Sequence, residues 1–248
     1  MKSWGTARFL KIRDGLVLLG FCFFPLAAHA QDNTVTAKVV EVKQGTGSVS
    51  NAPNVVVWLS PLDNSRQESA DHLAAARSPQ LVQQDKTFVP HILVVQVGTV
   101  VQFPNRDPFF HNIFSLYDGK RFDLGLYEAG TTRSVRFDRP GVSFLFCNIH
   151  AEMSAAVVAV ETPYFAISDR LGRLSISNVP DGRYEMHIWD ERGTPESLKS
   201  LTRTVVISGS SRALPAIRIV DNPDFTLAHK NKYGQDYVPP PNSGYVQP

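Results

Sequence analysis

Apolar and polar positions along this chain alternate in short runs, and the runs recur at nearly even intervals. β-branched and aromatic residues gather at 35–42, 54–59, 92–97, 100–103, 112–116, 132–137, 142–147 and 155–160, each run bounded by Gly, Pro, Asn or Asp. Alternation over a few residues between turn formers is the pattern of half-buried strands. Further runs at 164–168, 174–177, 184–189 and 203–208 follow across the turns Asp169-Arg170-Leu171-Gly172 and Pro180-Asp181-Gly182. The pattern predicts an all-β chain arranged as sandwiches or barrels. Beyond residue 30 the helical period shows only at 65–76, within a polar segment, 63–85, that reads as a helical connector or a loop.

Both ends depart from this pattern. Lys2, Arg8, Lys11 and Arg13 precede an apolar run from Gly15 to Ala28, and Ala28-His29-Ala30 offers small residues around a cleavage point. Basic leader, short apolar core and small-x-small site together predict a secretory signal peptide over 1–30, cleaved after Ala30. The apolar run, interrupted by Pro25, falls short of the roughly twenty residues that span a bilayer. Phe21 stands before Cys22, where a lipoprotein signal needs a small residue, so the mature chain is expected to be soluble. From Asp221 onward apolar residues thin out and Pro239-Pro240-Pro241 appears, so 221–248 reads as an extended tail lying along its own domain or along a partner.

Composition adds an exclusion and a clue. Hydrophobic content of 43% with 19% charged residues, 16 Gly and 17 Pro excludes a collagen, a coiled coil and a wholly disordered chain. Loss of the leader removes four basic residues and one acidic residue, taking the net charge from +2 to −1. A near-neutral surface without a basic run gives no footing for nucleic acid. The leader also carries one of the two cysteines, which leaves Cys147 alone. A lone thiol in an oxidising compartment is buried and inert, intermolecular, or engaged as a ligand or nucleophile.

Its neighbours decide which. Cys147-Asn148-Ile149-His150-Ala151-Glu152-Met153 sets a thiolate, an imidazole and a thioether at i, i+3 and i+6, directly after a strongly apolar strand. Soft and borderline donors of this kind suit copper, and a Cys with two His in a plane and a weak axial Met is the blue-copper arrangement. The second imidazole is expected from a neighbouring strand, where His111 follows Val100 to Phe110. Zinc competes, because a Cys and two His with an open fourth position make a tetrahedral site; Met153 argues for copper. In that arrangement Cys147 dominates the bonding, His111 and His150 complete the plane, and Met153 tunes the potential from a longer distance. Pro108, Phe109, Phe110, Ile149 and Ala151 would surround the metal with apolar atoms, with Phe110 as the core residue. His72, His91, His187 and His229 have no partner at ligand spacing and receive no role.

This part of the chain, about 80–162, resembles the cupredoxins, the small blue copper proteins of the plastocyanin and amicyanin type. The resemblance is carried, in the family's order, by Phe88-Val89-Pro90, Val97-Gly98-Thr99, the strand end Val101-x-Phe103-x-Asn105-x-Asp107, the pair His111-Asn112, and Cys147-x-x-His150-x-x-Met153. The short spacing of the last loop is similar to that of amicyanin. It implies a Greek-key β-sandwich or barrel holding one type-1 copper ion at His111, Cys147, His150 and Met153. It further implies that Asn112 ties the ligand-bearing loops together, with Asn148 as a second candidate, and that electrons leave through His150.

Residues 163–220, with the D-x-x-G turn at Asp169 to Gly172 and Val179-Pro180-Asp181-Gly182-Arg183-Tyr184, resemble the carboxypeptidase regulatory-like, transthyretin-type (prealbumin-like) β-sandwich. The strands within 31–79 are similar to the opening strands of that module. Two arrangements therefore stand open: a split module with the cupredoxin inserted, or residues 33–62 as edge strands of the cupredoxin. Chains that join these two parts are labelled methylamine-utilisation proteins.

The resemblance implies a periplasmic carrier of single electrons rather than an enzyme, working between redox proteins such as a cytochrome or a dehydrogenase. The alternative is a copper-binding protein for metal delivery or sensing, which would surrender its ion to a competitor that a carrier resists.

Overall fold

Every alternating run named above folds as a strand over most of its length. The computed structural model describes Met1 and residues 33–63, 78–116, 119–226 and 228–237. The leader with its cleavage point, the helix-or-loop stretch at 65–76 with His72, and Pro239-Pro240-Pro241 lie outside the described residues. The chain opens with β1 (Val35–Val42), β2 (Val49–Asn51) and β3 (Val56–Pro61). It continues through β4 (Val82–Gln84), β5 (Thr87–Val89), β6 (Ile92–Gln96), β7 (Val100–Pro104), β8 (His111–Ser115) and β9 (Phe122–Tyr127). Then come β10 (Thr132–Arg136), β11 (Gly141–Phe146), β12 (Ser154–Val160), β13 (Phe165–Ile167), β14 (Arg173–Ile176) and β15 (Gly182–Trp189). It closes with α1 (Pro195–Leu201), β16 (Arg203–Ile207) and β17 (Ile217–Val220). The fold is all-β with one short helix among the described residues.

The sequence pattern does not reveal α1, although its start is written locally: Thr194 caps it by accepting from the Ser197 N–H at 3.2 Å, and Pro195 fills the first turn. Seven residues are too few for a 3.6-residue period to register.

Strand pairing joins the two ends of the chain. β1 pairs antiparallel with β14 through Val35 to Lys38 and parallel with β17 through Val39 to Val42. β3 lies between β13 and β15, and β16 extends that sheet. The strands of 35–61 therefore pair with those of 165–220 and not with the strands between them. Val35, Val39, Val57 and Leu59 share one core with Leu174, Ile176, Tyr184, Met186 and Ile188. The segment from β4 to β12 leaves after Pro61 and returns before Phe165, and these points are adjacent: Leu59 N–H donates to Tyr164 O at 2.9 Å and Phe165 pairs with Trp58. An insertion whose ends meet leaves the host sheet undistorted.

That segment builds its own sandwich, a sheet ordered β6-β12-β11-β8-β9 facing β7 and β10. Phe103, Ile113, Phe137, Leu145 and Val157 fill its core. The two sandwiches share a third apolar layer, in which Val56 of β3 meets Ile92, Val94, Val158 and Val160, flanked by Trp58, Phe165 and Trp189. This explains why β12 reads as a continuous apolar run: Ala155, Val157 and Ala159 face one core while Val158 and Val160 face the other. Each such Val or Ile contributes about 1.5–3 kcal/mol when fully buried.

Two polar contacts fix particular points. Gly172, with φ +70°, ends the Asp169 turn against β1, donating its N–H to Asp169 O at 2.8 Å while its carbonyl accepts from Val39 N–H at 2.7 Å. A Cβ there would collide with the Val39 carbonyl oxygen. His91, which received no role from the sequence, reaches across the sandwiches: its Nε2 lies 2.7 Å from Glu191 Oε2 and its Nδ1 3.0 Å from Ser154 O. The Glu191 carboxylate holds the His91 pKa above its usual range against the opposing effect of burial.

Gly172→Ala is expected to cost about 2–3 kcal/mol in urea unfolding, because it adds both the left-handed strain and the collision. A raised folded-state pKa means that the His91 pair stabilises fully below about pH 6.5 and loses that contribution as pH climbs through the raised value. The thermal midpoint should therefore fall more steeply as pH rises above about 6.5 in the wild type than in His91→Gln.

Candidate metal centre

β11 and β12 form an antiparallel hairpin in which Phe146 pairs with Ser154, so residues 147–153 are its connecting loop. Three of the four residues singled out by their spacing sit in this one loop. The loop closes on itself, with Cys147 N–H donating to Met153 O and Met153 N–H to His150 O, both at 3.2 Å. On the other side of β11 lies β8, with Phe146 opposite Phe114, and β8 begins at His111. Neighbouring strands thus bring His111 to the hairpin loop from a position 36 residues away in sequence.

The three donor atoms converge. Cys147 Sγ lies 3.8 Å from His111 Nδ1 and 3.5 Å from His150 Nδ1, and all three atoms fall within 4.8 Å of one another. Metal bonds of about 2.0–2.3 Å to imidazole and thiolate, opened by about 120° in a plane, put donor atoms roughly 3.5–4 Å apart. The observed spacing fits one ion between the three. Cys147, His111 and Met153 are fully buried and His150 is half-buried. Met153 packs in the same core as Cys147.

Electrostatics point the same way. Burial pushes the Cys147 thiol pKa up, opposed by N–H groups of Asn112, Ile149 and His150 that face the sulfur. Burial and the His111 ring beside it push His150 down, which keeps that imidazole neutral and able to donate its lone pair. A metal taken up at neutral pH would displace the Cys147 proton and bind the thiolate, to which those three N–H groups donate.

His111 is oriented from behind by Asp107, whose Oδ2 lies 2.7 Å from Nε2, leaving Nδ1 to face Cys147. Carboxylate support of a ligand histidine fixes its tautomer and its ring plane. Asp107 is itself held by the tip of the β4–β5 hairpin, accepting from Asp85 N–H at 2.7 Å and Lys86 N–H at 3.0 Å. Asp85 and Lys86 have φ of 54° and 52°, as a two-residue type I′ turn demands, and their bonds to Asp107 offset the cost of that conformation. Against the burial that would raise it, the contacts of Asp107 with His111, Lys86 and Asp85 hold its carboxyl below the usual range. The sequence marked Asp107 only as part of a strand end; its position four residues before His111 is the one local sign of the pairing.

One expectation changes, and another is met by the backbone alone. Phe110 is exposed, at 55%, whereas Phe109 packs against both imidazoles, with ring centroids 5.1 Å from His111 and 5.7 Å from His150. Neighbouring residues in an extended chain point to opposite faces, so with His111 turned inward Phe110 turns outward. Asn112 ties the two segments through its N–H, which faces the Cys147 sulfur, whereas its side-chain Nδ2 donates to Asp123 Oδ1 at 2.8 Å, and Asn148 Oδ1 accepts from Lys232 N–H at 3.0 Å. Tyr237 of the tail also reaches the loop and His229 packs against Phe146 just before it, and nothing local in the sequence announced any of these contacts.

No family model matches the sequence, and no curated protein matches it. Part of the chain is similar to solved structures. One is the Cu-containing nitrite reductase from Thermus scotoductus SA-01, 20% identical with a TM-score of 0.34 over 42% of this chain and 26% of that one, so the chain spans about a quarter of that protein's length. Another is the purple cupredoxin from Nitrosopumilus maritimus, 24% identical with a TM-score of 0.30 over 33% of this chain and 99% of that one. A variant of amicyanin in its Cu(I) form is 18% identical with a TM-score of 0.33 over 42% of this chain and 98% of that one. These likenesses are partial, and the reading of the site rests on its own residues.

Asp107→Asn is expected to weaken metal retention about 10- to 100-fold, the usual cost of losing the partner behind a ligand histidine. Competition of the metal-loaded protein against a chelator measures it.

Proposed function

We propose that this chain is an exported type-1 copper protein that carries single electrons between redox partners, with His111, Cys147, His150 and Met153 as ligands. The observation that carries this reading is the convergence of one buried thiol and two imidazole Nδ1 atoms at 3.5 and 3.8 Å. A copper ion held there supplies a one-electron Cu(II)/Cu(I) couple. Met153, buried in the same loop, supports copper over zinc because a thioether is a soft donor that zinc sites seldom use.

The protein's own part is to hold these donors still. Cys147 would hold the ion as its thiolate, with the N–H groups of Asn112, Ile149 and His150 donating to the sulfur. Asp107 keeps His111 Nε2 occupied so that Nδ1 faces inward. His150 is the ligand that reaches the surface, and exposed Phe110 and Ile149 give it an apolar rim on which a cytochrome or a dehydrogenase could dock. The basic leader and small-x-small site support export to the periplasm. The sandwich of β1, β3 and β13–β17 is read as a transthyretin-type platform joined to a cupredoxin, an arrangement of the methylamine-utilisation type.

The test is the visible and electron paramagnetic resonance spectrum of the Cu(II)-loaded protein beside Cys147→Ala. The expected result is an intense blue band and narrow hyperfine splitting, both lost in Cys147→Ala. A colourless protein that binds Cu(I) or zinc would overturn the carrier reading in favour of metal delivery or sensing.

A further inference from the structure

Asn112 links the two ligand-bearing segments through its backbone N–H, which faces the Cys147 sulfur, and a second link, through its side chain, runs by way of the far end of the chain. Asn112 follows His111, and Asn148 follows Cys147. The first bonds Asp123 Oδ1 at 2.8 Å; Asp123 Oδ2 pairs with Lys232 Nζ at 2.8 Å; and the Lys232 N–H donates to Asn148 Oδ1 at 3.0 Å. Lys232 thus closes a chain of polar contacts that runs from one ligand strand to the other. Five residues on, Tyr237 OH donates to the Cys147 carbonyl at 2.6 Å and lies 3.3 Å from His229 Nδ1, while the His229 ring packs tilted against Phe146 at 4.1 Å between centroids. Besides Asp123, tail contacts fall on the consecutive residues Phe146, Cys147 and Asn148.

The stretch is shaped for this. Asn231 Oδ1 accepts from Tyr233 N–H at 2.9 Å and Gln235 N–H at 3.0 Å, and Asn231 O accepts from Gly234 N–H at 2.9 Å, so residues 231–235 form a hydrogen-bonded turn that sets Lys232 and Tyr237 on the same side. Despite the burial that would raise it, the contacts of Asp123 with Lys232, the Gly125 N–H and Asn112 hold its carboxyl below the usual range, as expected of a charge that is engaged.

We infer that Lys232 and Tyr237 belong to the metal site as positioning residues that clamp the Cys147 loop to the His111 strand. Tyr237 fixes the Cys147 backbone and with it the direction of Cβ and Sγ; Lys232 fixes the spacing of the loop from β8 and β9. The metal half of this inference rests on the copper reading, and the mechanical half stands without it.

The experiment compares wild type, Tyr237→Phe, Lys232→Met, the double variant, and Lys230→Met as a control that alters only the exposed pair with Asp236. In the metal-free protein, amide hydrogen exchange within 147–153 and 111–115 is expected to rise about tenfold in the double variant, the equivalent of losing a hydrogen bond to a charged group, with β1 and β15 unchanged. With Cu(II) added, the double variant should release the ion faster to a chelator and show an altered hyperfine splitting, whereas Lys230→Met should match the wild type. Unchanged exchange at 147–153 overturns the clamp, and so does faster exchange accompanied by unaltered copper release and spectrum. A wild type that binds no copper fails the copper reading instead, and exchange alone then decides the clamp. If β1 also loses protection in the double variant, Tyr237→Phe, which deletes one hydroxyl, decides by the same measurement.

Discussion

A buried thiol has one weakly donating proton to offer the two imidazole lone pairs that converge on it, and the rest of the inserted sandwich is what keeps the three groups together. Cys147 and His150 are held close by a seven-residue hairpin loop that bonds to itself through Met153. His111 arrives from a different strand, so its placement depends on the pairing of β8 with β11. Behind it, the tip of the β4–β5 hairpin grips Asp107, and Asp107 grips the imidazole. Each of these supports is a hydrogen bond to an atom that would otherwise be buried without a partner, so loosening one exposes the next to that penalty.

The second constraint is layering. β3 and β12 are apolar on both faces, and a strand of that kind is stable only when covered on both sides. The chain meets this by stacking the two sandwiches so that β3 and β13 pack against β6 and β12. His91 and Glu191 then place an ion pair across the same junction. The result is a rigid base beneath the strands that carry His111 and Cys147. Rigidity is what an electron carrier of the proposed kind requires, because ligands that stay in place need no rearrangement when the charge of the site changes.

How much could be read beforehand differs by element. The long runs at 35–42, 92–97 and 155–160 became β1, β6 and β12 within a residue or so of their expected bounds. β9, whose burial pattern mixes exposed and half-buried positions, and the three-residue strands β2, β4 and β5 carried too little alternation to be seen. Of the site, His111, Cys147 and His150 were legible because ligand chemistry restricts residue type and, for the last two, spacing. Asp107 was half legible. Lys232, Tyr237 and His229 were not, since a Lys and a Tyr in a polar tail look the same whether they meet water or a carbonyl 90 residues away.

What the sequence determined by itself was the strand content and the donor set, because alternation and ligand type are properties of neighbouring residues. Which strands pair, whether β1 and β3 belong with the first half or the last, which way Phe109 and Phe110 point, and what the tail rests on were decided only in three dimensions. Those outcomes depend on burying both faces of β3 and β12 and on finding partners for buried polar atoms. Such contacts join residues far apart in the chain, and no local pattern records them.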